Sequence, residues 1–239
     1  MERILSLTGS YINVALIIVG GALGLLLKKG LPERVSDAVM KALGLCVIYI
    51  GIDGCLEGSN ALIAVVSMAV GTIFGSAVDL DKHMNNFASK VEKKLSKKSD
   101  SKTNMAQGLV TATLLYCVGA MAVVGSLESG ISGDHSTLTT KSVIDGVSSI
   151  VLASTLGYGV LLSSVPLFVY QGGITLLAGF VAPFMSTGAI NEMTCTGSIL
   201  IIALGLNMLG ITKIKVIKVM NYVPAVFLPI VLCLIPGLG

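Results

Sequence analysis

A chain of 239 residues, 54% hydrophobic and 12% charged with a formal net charge of +3, lacks the polar surface of a water-soluble domain, and its mean hydropathy of +0.89 places most of it in lipid. That is the composition of a bundle of apolar membrane helices, not of a soluble enzyme or a nucleic-acid binder. The absence of Trp, the 28 Gly and five cysteines without a CxxC pair suit closely packed apolar helices carrying structural thiols rather than a disulfide framework or a metal site.

Read along the chain, eight apolar stretches are predicted to cross the roughly 30 Å hydrocarbon layer as helices: 12–27, 39–56, 61–78, 107–127, 142–164, 166–185, 193–212 and 219–235. The fold class is therefore an all-α polytopic membrane helix bundle, a single membrane domain over 1–239. The first stretch resembles a signal peptide, but Lys28, Lys29 and Arg34 follow it without a small-residue cleavage site. It is expected to stay as the first span.

All sixteen basic residues except Arg3 and Lys141 flank or fill the first, third and seventh connections. With eight spans these connections share one side, which the positive-inside tendency makes cytoplasmic, so both termini are expected outside. The third connection, 79–105, is a cytoplasmic basic loop in which Phe87, Val91 and Leu95 recur every four residues. That spacing predicts a short amphipathic helix on the membrane surface.

Self-comparison suggests repeats. Gly20-Gly21 and Gly172-Gly173 are each followed by a similar apolar run, in which Gly51 and Asp53 align with Gly205 and Asn207. Residues 12–78 would then match 166–236 with the opposite sense of insertion, the inverted repeat common among transporters. A second, same-direction likeness relates Gly20 and Gly24 to Gly71 and Gly75, and Leu56-Glu57 to Leu127-Glu128. Glycines four apart suit close helix contact, whereas the double glycines could instead unwind a turn and open backbone groups to a cavity.

Ionisable and hydrogen-bonding groups inside spans are expensive, so each is a candidate site. Asp53, Glu57, Asp145 and Glu192 lie toward predicted outer helix ends and, with Glu128 and Asp134, suggest an acidic vestibule that concentrates cations. Asn207 mirrors Asp53 in the second repeat. Simpler roles compete: Asp145 stands four residues after Lys141 and could pair with it, and Glu192 suits a helix N-terminus. Ser148, Ser149, Thr155, Tyr170 and Gln171, around a Ser163-Ser164-x-Pro166 break and Gly172-Gly173, could line a solute path through a discontinuous helix, or simply bond to carbonyls of their own helices. No P-loop, HExxH or GxSxG motif is present, and no enzyme, cofactor or metal is expected.

The run Lys-Lys-Gly-Leu-Pro-Glu-Arg from Lys28, Tyr170-Gln-Gly-Gly after Ser-Ser-x-Pro, and the stretch from Gly205-Leu-Asn-Met to Asn221-Tyr-Val-Pro resemble the bacterial family catalogued as domain of unknown function 554. The likeness spans nearly the whole chain. It implies a multi-spanning bacterial plasma-membrane protein and carries no substrate or catalytic residue with it. The expected function is a transporter or channel for a small solute, a cation before others. The alternative is a scaffold or regulatory homo-oligomer assembled through the glycine faces. In both readings the expected partners are the bilayer and, for transport, a small ion or solute, with no nucleic acid.

Overall fold

A computed structural model describes residues 6–28, 33–86, 102–118, 120–211 and 217–235. Among them there is no strand. The helices are α1 (Thr8–Lys28), α2 (Glu33–Cys55), α3 (Ala61–Val78), α4 (Lys102–Cys117), α5 (Ala120–Ile131), α6 (Ser136–Leu156), α7 (Gly159–Leu162), α8 (Ser164–Leu176), α9 (Ala178–Val181), α10 (Thr187–Leu209) and α11 (Leu228–Leu232), with 3-10 turns at Ala182–Phe184 and Val219–Phe227. The predicted amphipathic helix at Phe87, Val91 and Leu95 lies outside the described residues.

Among the described residues, five helices are long and apolar enough to cross a membrane: Thr8–Leu27, Asp37–Cys55, Ala61–Val78, Gly159–Leu176 and Thr187–Leu209. A sixth arises if Met105–Cys117 and Met121–Ile131, bent by 60° at their junction, form one span. The eight expected stretches therefore reduce to five or six that meet this standard. Helix α6 is 21 residues long, but Lys141, Asp145 and its many hydroxyls dilute its apolarity, and the apolar segment Val219–Leu232 is short. Large apolar side chains such as Leu26, Tyr49, Ile73, Val169 and Phe180 are exposed, as helices dissolved in lipid require.

The chain forms two compact units, one of Met1–Asp37 with Val91–Pro183, the other of Ala38–Lys90 with Phe184–Gly239. Each of the two candidate repeats contributes residues to both. In unit 1, α1 runs beside α6 in the same direction: Gly20 packs on the Gly146 carbonyl and Gly24 on the Ile150 carbonyl. A Cβ at either glycine would overlap the backbone of α6, so the close crossing depends on their absence. The double glycine at Gly20-Gly21 thus unwinds nothing; it sits inside continuous α1.

In unit 2, α2 lies antiparallel to α10, with Gly44 against Gly205 and Gly51 against Ser198 and Ile202. Gly71 and Gly75 of α3 press on the backbone of Ala225 and Asn221 in the long 3-10 turn, which contains Pro224. Asn60 starts α3 by accepting from the Leu62 amide, and Ser186 starts α10 by accepting from the Ala189 amide, each satisfying an amide that the helix leaves open.

At the expected break, Ser163-Ser164-x-Pro166, the helix is interrupted only at Ser163, between α7 and α8. A further interruption follows α6 at Gly157, whose φ of 76° is left-handed and suits a residue without a Cβ. Ser163 continues the helical bonding, donating to the Gly159 carbonyl and accepting from the Leu167 amide. Pro166 falls in the first turn of α8, where its missing N–H leaves no interior bond unmade. Gly172 and Gly173 lie within unbroken α8.

Candidate functional site

Most buried polar side chains among the described residues belong to unit 1. The stripe Ser10, Asn13 and Ile17 on α1, at helical spacing, is fully buried, so it brings an amide and a hydroxyl into an otherwise apolar interior. Asn13 Nδ2 donates to Asp145 Oδ2 of α6 over 3.0 Å and to Gln171 Oε1 of α8 over 3.2 Å. Lys141, one turn before Asp145, donates its ammonium to the same Asp145 oxygen, and it faces the Tyr116 ring of α4 with Nζ 6.0 Å from the centroid. Tyr116 and Ser149 share a hydroxyl–hydroxyl bond of 2.7 Å, and Ser149 donates to the Asp145 carbonyl. Four helices thus meet around one ion pair.

Asn13 is five residues into the span Thr8–Leu27 and Gln171 five from the end of Gly159–Leu176. At 1.5 Å per residue the cluster lies about 8 Å below that end of the two helices. Burying a charge pair there carries a large desolvation penalty that apolar residues of the same volume would avoid. Three neighbouring atoms, Ser10 Oγ, Asn13 Oδ1 and Gln171 Nε2, have no hydrogen-bond partner among the described residues, and an unsatisfied buried group costs about 1–3 kcal/mol. An interior that sustains both penalties is more expensive than stability alone demands.

Toward the nearer end, Thr175, one turn beyond Gln171, donates to the Ser126 carbonyl of α5, and Ser129 contacts His135 and donates to the Ser6 carbonyl. On the other side lie Tyr116 and Ser149, then Thr111 of α4, buried with its hydroxyl unpartnered. In the loop before α6, Asp134 accepts from the Ser136 amide over 2.9 Å, which holds its carboxyl below the ordinary carboxylate range.

The sequence candidates separate as follows. Asp145, Ser149 and Gln171 meet in the unit 1 cluster. The pairing of Asp145 with Lys141, the simpler of its two sequence readings, is present. Ser148 is half-buried on α6; Thr155 is buried and donates to the Leu152 carbonyl; Tyr170 is half-buried on α8. Asp53 and Glu57 are exposed in unit 2.

Glu192 is buried in unit 2 and serves a helix other than its own: its Oε1 accepts from the amides of Ser59 and Asn60 and the Ser59 hydroxyl, at the start of α3. Asn207 clasps the backbone of Ile217, accepting from its N–H and donating to its carbonyl. Among the described residues no group of three or more His, Cys, Asp or Glu side chains is placed to hold a metal ion.

Sequence reasoning missed Asn13, Ser10 and Tyr116. Asn13 left a legible signal, an amide inside the first apolar run of the chain, three residues after Ser10. Tyr116 left none, because its partner Ser149 is 33 residues away on another helix.

The profile of the family described as "Protein of unknown function (DUF554)" matches residues 8–234. The chain is 35% identical over 225 residues to a protein of Bacillus subtilis (strain 168) named "Uncharacterized membrane protein YdfK", covering 92% of this chain and 93% of that one. It is 29% identical over 222 residues to "Uncharacterized protein YqgA" of Escherichia coli (strain K12), with the same coverage of each. No solved structure matches the chain.

Proposed function

Since the chain belongs to the DUF554 family of proteins of unknown function, with a bacterial membrane protein among its relatives, we propose that it is a transporter for a small polar solute and that unit 1 holds the path. The observation that carries this reading is the buried Lys141–Asp145 pair, tied through Asn13 to Gln171 and surrounded by unpartnered polar atoms. Ionisable groups at membrane depth are rare outside solute and ion pathways. Hydroxyls on both sides of the cluster, from Ser129 and Thr175 to Ser149 and Thr111, extend the polar strip along the unit.

The proposal includes eight crossings of the bacterial plasma membrane, with α4 and α5 as one bent span, α6 as another and the Val219–Leu232 segment as the last. Both termini are outside. The scaffold alternative is weakened by the glycines themselves, because Gly20, Gly24, Gly71 and Gly75 already pack within the chain and offer no free face for another copy.

The test is uptake by vesicles containing the purified full-length protein. Labelled glycine, methylammonium, rubidium, acetate and acetamide are offered in turn. At least one should enter faster than into protein-free vesicles. Asp145→Asn should reduce that entry about tenfold or more, the effect of losing a buried charge-assisted partner, whereas Asp53→Asn, at an exposed position, should leave it unchanged. No uptake of any probe by correctly folded protein rejects transport in favour of the scaffold reading.

A further inference from the structure

We propose that the solute is a small zwitterion, an ammonium and a carboxylate carried on one molecule without net charge, as in a free amino acid. The inference rests on the transport reading and names the substrate class of that site.

Charge decides first. Lys141 and Asp145 are the charged side chains among the groups that the cluster's hydrogen bonds join, one of each sign, so the cluster as built is neutral. A lone cation drawn to Asp145 would have to displace the Lys141 ammonium and strand it in an apolar bundle. A lone anion drawn to Lys141 would strand Asp145. Stranding a charge is the step that buried pairs resist most. A zwitterion strands neither: its ammonium takes Asp145 while its carboxylate takes Lys141, and the site is neutral before, during and after exchange. The cation preference expected from the acidic residues does not transfer to this cluster.

Hydrogen-bond polarity decides next. Asp145 dictates how Asn13 is turned, since its carboxylate oxygen accepts only and must face the Asn13 NH2. That leaves Asn13 Oδ1 as the free acceptor. Because the same NH2 donates to Gln171 Oε1, the Gln171 NH2 is the free donor. Both free atoms are buried and unpartnered, with the Ser10 hydroxyl beside Asn13 on α1 able to serve in either sense. The cluster therefore offers two donors, Lys141 and Gln171 Nε2, and two acceptors, Asp145 and Asn13 Oδ1. An ammonium supplies donors for the second set and a carboxylate supplies acceptors for the first.

Glycine and alanine are the probes, with methylammonium, acetate and acetamide as the cationic, anionic and uncharged controls. Vesicles holding the full-length protein should accumulate labelled glycine or alanine in counterflow, and excess methylammonium plus acetate should not compete. Gln171→Leu keeps the ion pair and removes the free donor, so it should raise the half-saturating glycine concentration about tenfold, the worth of one charge-assisted hydrogen bond. Gln171→Asn should recover part of that loss. In detergent, glycine should raise the melting temperature of the wild-type protein, and Gln171→Leu should need about ten times as much glycine for the same rise, which separates weakened binding from lost folding. Uptake of a control while glycine and alanine are refused overturns the zwitterion and leaves transport standing. Refusal of every probe overturns both.

Discussion

At the scale of single residues, Asp145 is held by two donors on different helices, the Lys141 ammonium and the Asn13 amide. Replacing one member of such a pair leaves the other charged and unpartnered, so Lys141→Met is expected to destabilise the protein by about 3–5 kcal/mol. The double variant Lys141→Met with Asp145→Leu removes both charges and should recover most of that stability, read as the midpoint of thermal or denaturant unfolding in detergent. Uptake should be lost in Lys141→Met and in the double variant alike. A double variant no more stable than Lys141→Met would mean that the loss of Lys141 does not leave Asp145 stranded. Removing the Tyr116 hydroxyl is a milder change. Tyr116→Phe should cost about 1 kcal/mol, the net worth of one hydrogen bond, because Ser149 keeps its bond to the Asp145 carbonyl.

At the scale of elements, helix pairs approach where glycine exposes backbone. Gly24→Leu places a side chain where the Ile150 carbonyl lies and is expected to force α1 from α6. The yield of monodisperse protein after extraction should fall sharply, whereas Gly173→Leu, at a site with nothing within 4 Å, should be tolerated. The start of α6 carries a pH dependence. Asp134 accepts from the Ser136 amide, and its carboxyl titrates below the ordinary value because of that bond. A group with a depressed folded-state pKa contributes its stabilisation above the unfolded value and loses it as pH falls through the folded value. Amide exchange at 136–139, corrected for its intrinsic pH dependence, should therefore quicken only in acid below the usual carboxylate range. Asp134→Ala should show the faster exchange already at neutral pH.

At the scale of the whole molecule, two compact units form from segments interleaved along the chain, and the crossing number is itself testable. Single cysteines at Ser132 and Asp81, introduced after the five native cysteines are replaced, should label from opposite sides of the membrane if eight spans are correct with the termini outside. Labelling of both from one side would require a different count.

Composition and hydropathy were enough to identify an all-helical membrane chain, because transfer of apolar residues to lipid is additive and needs no partner. The family likewise was legible, since its motifs are local. Asp145, Ser149 and Gln171 could be singled out because a polar group in an apolar run is anomalous wherever it packs. What they do there depended on neighbours far away in sequence: Asn13 lies 132 residues from Asp145 and 158 from Gln171, and no spacing rule predicts that meeting. The same holds for Glu192, which the sequence offered as a cation site or as a partner for the start of its own helix, and whose carboxylate the tertiary structure sets at the start of α3. Insertion into lipid is decided residue by residue, whereas a hydrogen bond or an ion pair exists only when packing brings two particular helices together.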